Sequence, residues 1–297
     1  MRSKYFEGIS IARLMPAFVC ALLLVCGQAA AQISANENAT ALQIETILEG
    51  ASIDISNVTV VAGAGQQQGS FTGGTAAVGI NQGVFVSTGR GNNFGSAASV
   101  RSDVQNAGVT PDADLIAIRP SADRDTSALS LQITPQKNTI FARFAFASEE
   151  YPEYVCSQFN DAFALFISGG DLTGTTNMAI VPGSGTDVSI NTVNNGLNND
   201  GVVCTGETSN NSQFYNDNAG STNFIFDGYT DVFEVVFTGV TPGLTYNFKM
   251  VVADAVDNVY DSAVFLEVFD SRWINFADLS LALTSSVVTP VVNEPFL

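Results

Sequence analysis

Short runs of apolar residues, separated by clusters of glycine, asparagine, aspartate and proline, make up most of the chain after residue 50. The runs are rich in β-branched and aromatic residues, which favour strands, and the clusters between them favour turns. Because no helices alternate with the runs, the pattern predicts an all-β fold, an antiparallel β-sandwich or jelly roll. The predicted strands are 55–61, 84–88, 128–133, 139–146, 162–168, 178–181, 188–193, 232–238, 246–252 and 263–269.

One segment, 38–49, has helical spacing instead. Its large apolar residues lie on one approximate helical face, Asn38 or Thr40 can cap its start, and Gly50 ends it. We therefore predict one short N-terminal helix.

Two features of the pattern concern how the strands are covered. The segments 162–168 and 232–237 are apolar on both faces, which is typical of inner strands covered by long loops. The stretches Gly63–Ala76 and Asn194–Gly220 are rich in Gly, Gln, Thr or Asn and are predicted as excursions from the sheet.

The N-terminus has the pattern of an export signal. Basic residues precede an apolar run at 14–25, and alanines at 29–31 precede Gln32. The apolar run is shorter than the roughly 20 residues that a membrane-spanning helix needs. We predict that residues 1–31 are a cleaved signal peptide and that the remaining chain is secreted.

Composition limits the partners of the chain. The formal net charge is −18 and there is no histidine. Removal of residues 1–31 takes away three basic residues and one acidic residue, so the exported part is more acidic still. Such a charge repels nucleic acid and anionic membranes and attracts cations, so we expect no nucleic-acid binding and no membrane insertion of the domain. Without histidine, any catalysis would depend mainly on carboxylates.

Cys156 and Cys204 are the two cysteines that remain after the signal. Thiols oxidise outside the cell, neither cysteine belongs to a C-x-x-C pair, and no histidine is available to complete a zinc site. We predict a structural disulfide, for which the chain-entropy model gives roughly 4 kcal/mol at this loop length.

Candidate binding chemistry lies in two acidic segments. The glutamate segment, residues 148–154, has the sequence SEEYPEY, and the aspartate loop, residues 253–262, has the sequence ADAVDNVYDS. If the two meet at one end of the sandwich, several carboxylates share a small volume with almost no lysine nearby. A hard dication would then compensate their repulsion. We predict a calcium site whose side-chain ligands are Glu149, Asp161, Asp254 and Asp261.

Other interpretations of these segments stay open. Solvated aspartates at strand ends fit the pattern equally well, and Arg143 or another arginine could supply the counter-charge. The spacing does not match an EF-hand loop, so the calcium prediction depends on composition.

A second functional hypothesis is a carboxylate-dependent, glycan-active or glycan-binding jelly-roll protein. A glutamate of the 149–153 group and Asp161 would then act as acid and base. Glycan clefts are usually lined by tryptophan and tyrosine, and the single tryptophan, Trp273, follows the predicted domain. We therefore favour a non-catalytic extracellular module for adhesion or for envelope structure.

Several motifs resemble the choice-of-anchor L domain of bacterial surface proteins. They are VFVSTG (84–89), DADL (112–115), FASEEYPEYVCSQFNDAFALFISG (146–169), NMAIVPG (177–183), VSINTVN (188–194), FDGYT (226–230) and ADAVDNVYDSAVFLE (253–267). The resemblance implies an extracellular β-rich domain, which we assign to residues 32–270, on proteins held at the cell surface by differing C-terminal anchors. It implies no enzymatic activity and names no ligand, so the partner is expected to be an unidentified surface protein or glycan.

The last segment, 271–297, is predicted to be a linker and the truncated start of an Ig-like repeat. Its ADLS at 277–280 resembles the first strand of such repeats, and leucines alternate there at strand period. We expect a piece of a longer protein, attached to the surface through a C-terminal region, with 271–297 only loosely packed.

Overall fold

The computed structural model describes residues 32–98, 110–198, 201, 203–204 and 211–274. The predicted signal peptide and the tail from residue 275 lie outside the described residues. The described elements are β1 (Ser34–Asn36), α1 (Ala41–Leu48), β2 (Ile53–Ala62), β3 (Gln68–Thr72), α2 (Thr75–Val78), β4 (Gln82–Ser87), α3 (Ala113–Ile118), β5 (Ala122–Pro135), β6 (Thr139–Ser148), β7 (Ala162–Gly169), β8 (Thr175–Asn177), β9 (Tyr215–Asp217), β10 (Gly228–Thr230), β11 (Phe233–Thr238), β12 (Tyr246–Ala255), β13 (Ser262–Leu266) and β14 (Asp270–Arg272), with 3₁₀ turns at Gly91–Asn93 and Ser212–Phe214.

The strands form two antiparallel sheets. Sheet A has the order β1-β3-β4-β13-β6-β10-β9, and sheet B has the order β2-β5-β12-β7-β8. In sheet A, β6 also pairs with β11 and β14, so this one strand holds four partners. The predicted all-β antiparallel sandwich is confirmed.

The main core lies between the two sheets, and both sheets are also covered on parts of their outer faces. A second apolar cluster packs Phe85, Phe94 and Phe265 against the outer face of sheet A. A third packs Leu115 of α3 against Ala164 and Phe166 of β7 on sheet B. Burial on both faces explains why strands such as β7 are apolar throughout. For β11 the same expectation is wrong, because Val236 is 45% exposed.

The predicted N-terminal helix is confirmed as α1. Thr40 caps it: its Oγ1 accepts the Gln43 N–H at 3.3 Å, and Gln43 Oε1 accepts the Thr40 N–H at 2.8 Å. The helix lies along the edge of β2, where Glu45 accepts the N–H of Val58 and Glu49 accepts that of Ile55. These bonds occupy N–H groups of an edge strand that could otherwise pair with another chain.

Several local predictions are wrong. The polar stretch 63–76 contains β3, which is held by pairing with β1 and β4. Helices α2 and α3 were not expected. Residues 178–181 and 188–193, expected as strands, form turns with single β-bridges at Ile180 and Ser189. Apart from Ile180, which is partly exposed, their apolar side chains are buried all the same, because these segments fold over the main core.

The predicted boundary after residue 270 falls inside a paired strand. Ser271 and Arg272 pair with Ile140 and Thr139 of β6. Ile274 is then held by Asn138, whose Oδ1 accepts the Ile274 N–H at 3.0 Å. The described residues after 270 are therefore attached to sheet A.

Candidate functional site

One end of the main core is polar. Along a strand every second side chain faces the main core. Near this end, the core-facing positions of several strands change from apolar residues to residues with side-chain oxygens. Val252 of β12 is followed at this spacing by Asp254, and Phe163 of β7 is preceded by Asp161. Thr88 continues β4 and Ser262 begins β13 in the same way. We call this cluster the acidic end; it comprises Thr88, Glu149, Glu150, Asp161, Asp254, Asp261 and Ser262, all buried.

The two acidic segments predicted from the sequence meet at this end. The Glu149 N–H donates to the Asp261 carbonyl at 2.9 Å, and the Asp261 N–H donates to Glu149 Oε2 at 3.1 Å. Thr88 joins the same network: its Oγ1 accepts the Ser262 N–H at 2.8 Å and lies 3.3 Å from Asp261 Oδ1. The end of β4 is thereby tied to the aspartate loop.

Asp161 lies at the centre of the cluster. Its Oδ1 accepts the Ala255 N–H at 2.9 Å, and its Oδ2 accepts the Ser262 hydroxyl at 2.7 Å. These two bonds stabilise its ionised form and oppose the effect of burial, which raises the pKa of Asp161 to about 7. Asp161 therefore connects β7 to β12 and β13.

Asp254 has a different environment. Its carboxyl group lies within hydrogen-bonding reach of that of Asp161. Neither Asp254 oxygen accepts a well-formed hydrogen bond from a donor, although only 1% of the residue is exposed. Burial, followed by the charges of Asp161 and Asp261, raises the pKa of Asp254 well above its ordinary value, while Thr88 acts in the opposite direction. A pair of carboxyl groups in contact can persist only if a proton or a cation lies between them.

Glu150 adds a further buried carboxyl group to the acidic end. Its Oε2 has no hydrogen-bond partner, and burial raises its pKa to about 10, with further contributions from the charges of Asp161 and Asp257. The described ion pairs include none of Glu150, Asp161 and Asp254.

Two of the described basic side chains, Arg143 and Lys249, have their ion pairs elsewhere. Arg143 pairs with Glu267 at 2.8 Å on the outside of sheet A, so it is not the counter-charge of the acidic end. Lys249 pairs with Asp112 and Asp114 of α3 on the outside of sheet B. Among the described residues, no group of three or more acidic or cysteine side chains is placed to hold a metal ion by itself.

The disulfide and a half-buried aromatic cluster lie beside the glutamate segment. Cys156 is bonded to Cys204, with a Cα–Cα distance of 5.7 Å, as predicted. Nearby, the ring of Tyr154 lies 5.2 Å from that of Phe159 and 5.4 Å from that of Tyr260, measured between centroids. All three rings are partly accessible.

The structure thus brings together the four predicted ligands Glu149, Asp161, Asp254 and Asp261, and adds Thr88, Glu150 and Ser262 to them. Thr88 and Ser262 were missed because a hydroxyl group at a strand end is common. The alternation of side chains along a strand could have found them, because it places Thr88, directly after β4, and Ser262 of β13 on the face that points to the main core.

Burial also bears on the glycan-active hypothesis. Glu149 and Glu150 are each 2% exposed and Asp161 is fully buried. A glycosidase needs its two carboxyl groups on either side of a bound sugar. Asp161 and two of the three candidate glutamates are therefore inside the core, out of reach of a substrate, and Glu153 alone of the four is exposed.

The sequence was compared with models of known protein families. The model of the Choice-of-anchor L domain matches residues 32–270. The chain belongs to this family. The Choice-of-anchor L domain is a surface-associated module of bacteria, which makes this chain a cell-surface or extracellular protein and gives no positive evidence of catalysis. Searches of curated proteins and of solved structures gave no match. In the described part of the chain, no helix has the length and apolar character needed to cross a membrane.

Proposed function

We propose that this Choice-of-anchor L domain is a non-catalytic adhesion module that binds its surface ligand through the acidic end of the sandwich. The observation that carries the proposal is the partly accessible aromatic cluster of Tyr154, Phe159 and Tyr260, two of whose rings belong to the two acidic segments. Glu153 and Asp257 lie on the same two segments and are accessible to solvent. Accessible tyrosines with polar neighbours are typical of recognition surfaces.

The position of this end in the fold supports the proposal. β6 begins near Asn138, which holds Ile274, and ends at Ser148, next to the acidic end. Ten strand residues span roughly 33 Å. With attachment through the C-terminal side, as predicted from the sequence, the acidic end faces away from the attachment. A ligand on another surface would meet it first.

The experiment compares binding of the full exported chain and two variants to bacterial surfaces, immobilised glycans and immobilised proteins. Tyr154→Ala with Tyr260→Ala removes two of the three rings. Trp273→Ala is the matched control, because Trp273 is 65% exposed and follows β14 at the opposite end of β6. We expect the double variant to lose binding by tenfold or more and the control to bind like the unchanged chain. Equal binding by all three proteins would contradict the proposed recognition surface.

We further propose that calcium stabilises the module at the acidic end. The support is the contact between Asp161 and Asp254 in a chain of net charge −18, without an ion pair to either residue in the described structure. Extracellular modules typically bind calcium with dissociation constants of about 10⁻⁴ to 10⁻³ M, which suits the medium outside cells.

A further inference from the structure

We propose that one calcium ion binds between Asp161 and Asp254, with the hydroxyl group of Thr88 as a neutral ligand. This deepens the proposed calcium stabilisation and rests on it. The predicted ligand set is thereby narrowed: two carboxylates hold the ion, and Glu149 and Asp261 position the segments around it.

The oxygens of Asp254 are the first reason to place a cation here. Both Asp254 oxygens are buried in the core against the Asp161 carboxyl group, and neither accepts a well-formed hydrogen bond. A buried polar atom without a partner is destabilising, and more so when it is charged. This side chain therefore lacks a positive partner that a cation can supply.

The proposed site combines carboxylate oxygens with neutral oxygens. Among the described residues, no three acidic side chains lie close enough together to hold a metal ion by themselves. Calcium does not require them, because it also takes neutral oxygens from hydroxyl groups, carbonyl groups and water, with six to eight ligands in all. The Thr88 hydroxyl acts on Asp254 and is bonded to the Ser262 N–H, so it is fixed beside the pair.

Glu149 and Asp261, the other two predicted ligands, hold the surroundings of the site in place. Glu149 Oε2 accepts the Asp261 N–H, so the Glu149 side chain holds the aspartate loop against the glutamate segment. Thr88 Oγ1 is 3.3 Å from Asp261 Oδ1, which links Asp261 to the proposed neutral ligand. Both residues therefore orient the site and contribute negative charge around it.

The test is a thermal unfolding measurement on the full exported chain with its disulfide intact. The chain is freed of metal with a chelator and then measured with the chelator and with calcium at about 5 mM, well above the expected dissociation constant. This concentration is about a five- to fifty-fold excess over such a dissociation constant, which for a domain of this size raises Tm by roughly 2–9 °C. Calorimetric titration should give one calcium per chain.

Two variants separate binding from folding. Asp254→Asn keeps the shape and removes one charge of the contacting pair, so in chelator we expect a Tm equal to or above that of the unchanged chain, with no response to calcium. Asp54→Asn is the control: Asp54 is exposed and pairs with Thr134, at the opposite end of β5 from Arg124, the partner of Asp254, so this variant should keep the full response. Sodium chloride at matched ionic strength controls for screening.

The results that would overturn the site are a Tm of the unchanged chain that does not respond to calcium, or a response that Asp254→Asn retains. The adhesion assay stays independent of this measurement. Binding that persists without a calcium response removes the metal site and leaves the adhesion module. A calcium response in a chain that binds no surface does the reverse.

Discussion

Glu149 and Asp261 hold each other by two hydrogen bonds, one between their backbones at 2.9 Å and one from the Asp261 N–H to Glu149 Oε2 at 3.1 Å. The side chain of Glu149 thus replaces a backbone acceptor at the point where β6 has ended and β13 has not begun. It acts as a clamp between the glutamate segment and the aspartate loop.

The first prediction concerns this clamp. Glu149→Ala leaves the buried Asp261 N–H without its acceptor, which should lower the free energy of unfolding by about 1–3 kcal/mol. Glu149→Gln keeps an oxygen acceptor and should lose less than half of that. Urea unfolding of both variants in chelator measures the difference. Equal losses would show that the charge of Glu149, rather than the hydrogen bond, matters for stability.

The second prediction concerns the disulfide. Cys156 and Cys204 are 48 residues apart in the chain, and replacing both by serine should lower the free energy of unfolding by up to roughly 4 kcal/mol. Urea unfolding of the oxidised chain and of the double variant gives the value. Alkylation followed by mass measurement tests the bond itself: two thiols that react in the folded, exported and unreduced protein would refute it.

The third prediction concerns Asp112, which caps α3 and pairs with Lys249. Its Oδ1 accepts the N–H groups of Asp114 and Leu115, and Lys249 Nζ lies 2.6 Å from its Oδ2. Asp112→Ala removes cap and ion pair together and should cost about 1–2 kcal/mol. Asp112→Asn is the matched control, since it keeps the cap and weakens only the ion pair. Unfolding midpoints in urea should therefore fall in the order wild type, Asn, Ala.

The fourth prediction is a pH dependence at Asp227. Partial burial, together with the charges of Glu153 and Asp217, raises the pKa of Asp227 to about 7. A raised pKa means that the folded state holds the proton more tightly than the unfolded state does. This contribution to stability is complete below the ordinary pKa near 4 and disappears as the pH rises to about 7.

Asp227→Asn should therefore unfold like the wild type near pH 4 and be more stable above pH 7, by on the order of 1 kcal/mol because the group is half exposed. Urea midpoints across this range measure the divergence, and the acidic end of the range is the internal control. Midpoints that stay parallel at every pH would contradict the assignment.

The apolar pattern of the sequence follows burial more closely than it follows backbone conformation. It identifies long strands such as β6 and β12, where β-branched and aromatic residues coincide with two-sided burial. It fails at Val188 and Ile190, which are buried in turns, because an apolar run reports burial and not backbone conformation. It fails in the opposite sense for β3, a polar strand formed by pairing with its neighbours.

The acidic end was predictable only in part. The negative charge of the two segments indicated that the repulsion between their carboxylates would need a compensating positive charge. The two segments meet because β6 pairs antiparallel with β13. The sequence analysis placed Asp161 and Asp254 in one site but did not predict their direct contact, because Asp161 lies just before β7 and Asp254 lies on β12, strands far apart in the chain. Only the register of sheet B places them side by side.

The short pairing of β14 with β6 determines how the domain would respond to mechanical load. Because β14 runs antiparallel to β6 and continues to Ile274, a pull beyond residue 274 acts along the strand and loads its three residue pairs together with the contacts of Asn138. The five pairs of β13 with β6 lie behind them. Under tension β14 would slide off first and lengthen the connection, while β13 and the acidic end beyond it keep their shape.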